Sequence, residues 1–227
     1  MRESILTIPV TEIFEPKCGC PICCLRDTLE QRTVDYIMGA AMMEPDVRIE
    51  TNRQGFCKIH FEQMRNCKNR LSLALMLQTH LQSLQKNVLN RQSIFEGKNA
   101  KQKRVSAVNN DCFVCDKIEW GMSRIMVTLF ELYVQQSEFR DLFSQQELLC
   151  LPHYDMLTSA CADHMDKNCQ KRFREACSEL TEKYLAGLEK DITHYCNMYD
   201  YRNTGADADW GNSKDSIERA IKFLTTR

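Results

Sequence analysis

The chain carries no surplus of charge of either sign: 30 lysines and arginines face 31 aspartates and glutamates, a formal net charge of −1. A protein so balanced has no overall electrostatic attraction for nucleic acid or for an anionic membrane, and any such contact would have to be local. A long apolar run is also missing. No stretch approaches the roughly 20 residues that cross a bilayer, and the opening "MRESILTIPVTEIFEPK" has neither the apolar core nor the small-residue cleavage site of a secretory signal. A cytoplasmic protein is expected. There is no glycine-rich phosphate loop, no Gly-x-Ser-x-Gly and no His-Glu-x-x-His. No catalytic residue and no organic cofactor is therefore assigned.

What the chain has in quantity is cysteine, 13 in 227 residues. The length allows one domain or two halves of roughly 100 residues, each large enough for its own core, so size alone does not call for staples. In a reducing compartment an odd number of cysteines points to free thiols or metal ligands rather than disulfides. Their spacing decides. "CGCPICCLRD" contains the knuckle Cys20-Pro-Ile-Cys23, and "GFCKIH" contains Cys57 and His60 in Cys-x2-His. Later, "DCFVCD" repeats the knuckle as Cys112 and Cys115, and "LLCLPH" repeats the second motif as Cys150 and His153. Cys112 and Cys115 lie 92 residues after Cys20 and Cys23, whereas Cys150 and His153 lie 93 after Cys57 and His60. "DVR" and "EFR" keep the offset of 92, which places a one-residue insertion after them. This is an internal duplication.

A Cys-x2-Cys turn brings two sulfurs to one side of the backbone. A cysteine and a histidine three apart share one face of a helix start, where the positive end favours thiolates. Three thiolates and an imidazole make a tetrahedral zinc set. The reading is two Cys3His zinc sites, one per repeat: Cys20, Cys23, Cys57 and His60, then Cys112, Cys115, Cys150 and His153. Small buried thiols would need no matched register. An iron–sulfur cluster held by the same residues stays open, because ligand softness does not separate iron from zinc.

After each knuckle an apolar period of about 3.6 predicts a helix, through Leu25, Leu29, Val34, Ile37 and Met38, and through Ile118, Met122, Ile125, Met126, Leu129 and Leu132. "EPDVRIETNRQG" is expected to hold a short helical turn, with "SEFRDLFSQQE" its counterpart. Each Cys-x2-His should open one long helix, residues 61–90 and 154–199. Leu77, Leu81, Leu84 and Val88 in the first, and Leu180, Tyr184, Leu188 and Ile192 in the second, would form seams. The expected fold is all-α: duplicated zinc-pinned helical hairpins in a pseudo-twofold bundle. The expected divisions are a repeat over 1–95, a polar linker over 96–111, a repeat over 112–200 and a tail over 201–227. Lys98, Lys101, Lys103 and Arg104 form the one basic run, without aromatic interleaving, and read as a solvated connector. The tail should end in a helix capped by Asn212 or Ser213, with Ile217, Ala220, Ile221 and Leu224 as its apolar face and Trp210 beneath it. Asp207 and Asp209 lack calcium-loop spacing and read as solvated acids.

Cys18 and Cys24 flank the first knuckle without counterparts at the second. Cys67, Cys161, Cys169, Cys177 and Cys196 fall where core packing is the default, and His80, His164 and His194 have no partner motif. At "CPIC…GFCKIH…CFVC…LCLPH" and "DWGNSKDSIERAIKFL", the chain resembles an uncharacterised bacterial family of unknown function, found largely in anaerobic Firmicutes. The resemblance implies a lineage and no activity. Three functions follow in order: a protein-binding or adaptor module with two structural zinc ions, a thiol redox or metal sensor using the Cys18 to Cys24 cluster, and an enzyme with a cleft between the repeats. The expected partner is a protein or a second copy of the chain, not nucleic acid and not a membrane.

Overall fold

The computed structural model describes residues 10–17, 19–89, 99–200 and 209–225; it is 83% helix, and no strand occurs among the described residues. The chain groups into two compact units, one built on Arg26–Ser123 and the other on Ile8–Leu25 with Arg124–Arg227. The divisions fall inside two helices, α2 (Pro21–Met38) and α7 (Phe113–Gln135).

In the first unit α2 is buried through Leu29, Val34, Ile37 and Met38, the residues its period singled out. Helix α3 (Pro45–Gln54) is a full ten-residue helix rather than a short turn, started by Pro45 at a position where a missing N–H costs nothing. It ends at Gly55, whose φ of 69° favours glycine; a Cβ there would stand 3.0 Å from the His80 ring. The expected helix over 61–90 is two helices, α4 (Lys58–Asn66) and α5 (Arg70–Ser83), followed by a π-turn at Leu84–Leu89. Asn69 causes the break, accepting the Ser72 N–H as an N-cap while its amide donates to the Met38 carbonyl. The expected Leu77 to Val88 seam is not the buried face: α5 buries Leu73, Met76 and His80, and Leu81 is exposed. Arg48 on α3 donates to the Leu75 carbonyl and the Thr79 hydroxyl, and His80 Nδ1 donates to the Asn52 carbonyl at 3.0 Å. The polar stretch before the second knuckle carries helix α6 (Ala100–Asn110), which buries no residue.

The second unit has an aromatic core. Phe14 of α1 (Val10–Phe14) meets Phe139 and Phe143 of α8 (Ser137–Ser144), and Tyr133 and Phe143 pack on Phe173 with centroids 4.8 and 5.3 Å away. Helix α7 enters through Ile125, Met126, Leu129 and Phe130, all buried. The helix expected over 154–199 is likewise broken, into α9 (Leu151–Ala160) and α10 (Lys167–Asn197) with a 3-10 turn at Cys161–Asp163. Asp166 caps α10 by accepting the Asn168 and Cys169 N–H groups. On α10, Leu180 and Leu188 are buried as the seam reading required. The last helix, α11 (Ser216–Leu224), follows Asp215 rather than Asn212 or Ser213, which lie in a preceding 3-10 turn. It buries Ser216 and Phe223, with Phe223 against Tyr184, and leaves Ile217, Ile221 and Leu224 exposed. Trp210 packs edge-on to Tyr195 and Tyr199. No helix among the described residues is long and apolar enough to cross a membrane.

Candidate metal centres

The eight expected ligands form two clusters, but in crossed combination. Cys20 and Cys23 meet Cys150 and His153, whereas Cys57 and His60 meet Cys112 and Cys115. The pairing of each knuckle with the Cys-x2-His of its own repeat is therefore overturned. Each crossed cluster lies within one compact unit, the first in the unit that holds α9 and the second in the unit that holds α4.

Every cluster joins two helix starts. Cys57 is the N-cap residue of α4 and Cys150 that of α9, both extended (φ −72° and −70°), so the chain turns into the helix with sulfur and imidazole on one side. Cys20 and Cys112 stand immediately before α2 and α7, with Cys23 and Cys115 in the first turn. Four orphaned N–H groups and a positive dipole end accompany each start, an environment that suits sulfur anions. Local bonds hold the knuckles. Gly19, at φ 68°, donates its N–H to Glu147 at 2.6 Å, tying the first knuckle to the approach of α9. The Phe113 N–H donates to the Gly55 carbonyl, and Gln54 donates to Asp116, tying the second knuckle to the end of α3.

The spacing fits a single ion. A tetrahedron with arms of ~2.3 Å to sulfur and ~2.0 Å to nitrogen has S···S edges of ~3.8 Å and S···N edges of ~3.5 Å. In the Cys20 cluster the sulfurs of Cys20, Cys23 and Cys150 lie 3.5, 3.3 and 3.1 Å from His153 Nδ1, and Cys23 lies 3.7 Å from Cys150. In the Cys57 cluster the sulfurs of Cys57, Cys112 and Cys115 lie 3.1, 3.2 and 3.5 Å from His60 Nδ1, with Cys57 and Cys115 4.0 Å apart. All donor atoms of each group lie within 4.8 Å of one another. Both histidines present Nδ1.

Four of these groups are pushed towards their protonated forms. Hydrogen bonds from Cys150 and Cys23, with burial, push the Cys20 thiol far up. Desolvation raises Cys112, and desolvation with the Cys112 and Cys57 sulfurs pushes Cys115 up to about 12. Desolvation disfavours a charged His153, yet hydrogen bonds to Cys150 and Cys23 prevail and push it up to about 9. A divalent ion would be held by the three sulfurs and the imidazole of each group, would supply positive charge there and would take the place of those protons.

The surroundings differ. Cys20, Cys150 and His153 are buried and Cys23 is half-buried; His60 and Cys112 are buried, Cys57 is half-buried and Cys115 is exposed. His60 also has a partner that sequence reasoning missed: its Nε2–H donates to Glu30 at 2.9 Å, with both side chains nearly inaccessible. Glu30 lies in step with Val34 and Ile37 on the apolar face of α2, but a single glutamate there has no spacing that names its partner.

The remaining candidates lie elsewhere. Cys18 and Asp207 fall outside the described residues. Cys24 is half-buried; Cys161, Cys169 and Cys177 are buried, while Cys67 is half-buried and Cys196 exposed, so core packing holds for three of the five. His164 stacks on Phe130 at 4.8 Å, His194 donates to the Asp209 carbonyl, and Asp209 accepts the Gly211 N–H.

An all-helical chain with two Cys3His groups at metal-binding distance is the class that fold and site define. The chain belongs to a family described as "Family of unknown function (DUF6062)", which matches residues 1–227. No curated protein and no solved structure matches it.

Proposed function

We propose that the protein is a duplicated helical binding module of the bacterial cytoplasm, built on two structural zinc ions. The observation that carries the reading is the match of both donor sets to the edges of a tetrahedron around one ion. A cluster spreads its protein ligands over several irons and would hold the donors further apart, so the spacing favours a single ion over the iron–sulfur alternative. Four protein donors leave no coordination position for substrate, the mark of a structural site rather than a catalytic one. The matched order of motifs, knuckle and helix then Cys-x2-His and helix start, supports the duplicated build. The partner is a protein or a second copy of the chain. Elemental analysis with an absorption spectrum on oxygen-free protein tests the reading. Two zinc per chain and a colourless solution are expected; iron with a visible band would replace the zinc assignment.

A further inference from the structure

We propose that the Cys57–Cys115 edge is an oxidation site at which a hydroperoxide forms a disulfide and expels that cluster's metal, while the Cys20 cluster keeps its own. The proposal rests on the metal-site reading above. What carries it is the uneven access of solvent to two otherwise equivalent donor sets. In the Cys20 cluster three of the four ligands are buried. In the other, Cys115 is exposed and Cys57 half-buried, their sulfurs 4.0 Å apart, with Cys112 and His60 buried behind them. A small oxidant therefore reaches a metal-bound thiolate at Cys115 without the protein opening, and the next sulfur on the accessible side is Cys57.

The chemistry balances. The Cys115 thiolate attacks the distal peroxide oxygen, the O–O bond breaks, and an alcohol (water, for hydrogen peroxide) leaves after protonation. The Cys57 thiolate attacks the sulfenic sulfur, the S–S bond forms, and the sulfenic oxygen departs as water. Two thiolates, one hydroperoxide and two protons become one disulfide, one alcohol and one water; the two electrons pass from sulfur to oxygen. The sulfurs must close from 4.0 Å to a bond of ~2.05 Å, a movement the exposed Cys115 side chain can make once the ion no longer separates them. Loss of two of four ligands, and of two negative charges, leaves Cys112 and His60 too few to hold the ion. Glu30 accepts from His60 Nε2, away from the metal face, so it keeps the ring oriented for rebinding after a thiol reduces the disulfide.

The Cys18 to Cys24 cluster was the other candidate for redox chemistry, and the experiment separates the two. The full chain is loaded with zinc without oxygen and titrated with hydrogen peroxide. Released zinc is followed with a chromophoric chelator, and disulfides are mapped by alkylation and mass spectrometry. One zinc of two should leave, in step with a Cys57–Cys115 disulfide, and return with dithiothreitol and added zinc. The Cys18→Ser/Cys24→Ser variant should release it at the same peroxide dose. Release of both ions together, loss from the Cys20 cluster first, retention of both while Cys115 oxidises, or loss of the response in that variant would overturn the proposal and leave the metal sites standing. Protein that takes up no metal under reducing conditions would sink both.

Discussion

Glu30 shows how one residue outside the donor set can orient a candidate metal ligand. Its carboxylate, bonded to His60 Nε2, fixes the tautomer that leaves Nδ1 free as donor and makes the ring a stronger one. Glu30→Gln should weaken metal binding at the Cys57 cluster by about 10- to 100-fold, with the Cys20 cluster unchanged, as read by chelator competition on the two sites. Protons compete at the same atoms. Cys20, Cys112, Cys115 and His153 all have raised pKa values in the metal-free chain, so near neutrality they are protonated and each ion must displace protons. The sign follows: apparent affinity rises with pH and falls on acidification, up to about pH 9 where His153 loses its proton and further towards about pH 12 where Cys115 does. Isothermal titration in buffers of different ionisation enthalpy should show net proton release; a pH-independent affinity would contradict the assignment. The set of eight cysteines and histidines was legible in the sequence, because metal ligation would demand particular atoms at particular intervals. Glu30 was not, because a single glutamate on an apolar face has no spacing to betray it.

At the scale of the element, periodicity located the helices and short polar caps divided them. The faces of α2 and α7 are the ones the apolar pattern marked, since burial of Leu29, Ile37, Ile125 and Leu129 is what makes those helices worth forming. The expected long helices ran straight through Asn69 and Asp166. Apolar residues continue on both sides of each, and a cap acts through a hydrogen bond that hydropathy does not register. Asp166 satisfies two N–H groups at the start of the 31-residue α10. Asp166→Ala should therefore cost about 1 kcal/mol, measured by denaturant unfolding of zinc-loaded protein, with metal stoichiometry unchanged. The exposed face of α11 is a different kind of miss. Its apolar stripe suggested burial of Ile217 and Ile221, but Phe223 and Ser216 turn inward, because Phe223 finds Tyr184.

The whole molecule decides which motif meets which. Between Cys20 and Cys57 the chain runs through α2, about 27 Å at 1.5 Å per residue, and α3, about 15 Å. Within one unit Cys57 and His60 are met by Cys112 and Cys115, and within the other Cys20 and Cys23 by Cys150 and His153. Double variants test this crossing directly. Cys20→Ser/Cys150→Ser removes two ligands from one site and should leave one zinc per chain. Cys20→Ser/Cys57→Ser cripples both sites and should leave close to none; the reverse pattern would restore pairing within repeats. The sequence by itself determined the all-helical class and singled out the eight candidate ligand residues, because these follow from periodicity and from the donor atoms a metal accepts. Only the tertiary structure decided the partition of those ligands into two sites and the unequal exposure of the two. A repeated motif offers chemically identical partners, and only the path of the helices between them selects which are brought within bonding distance.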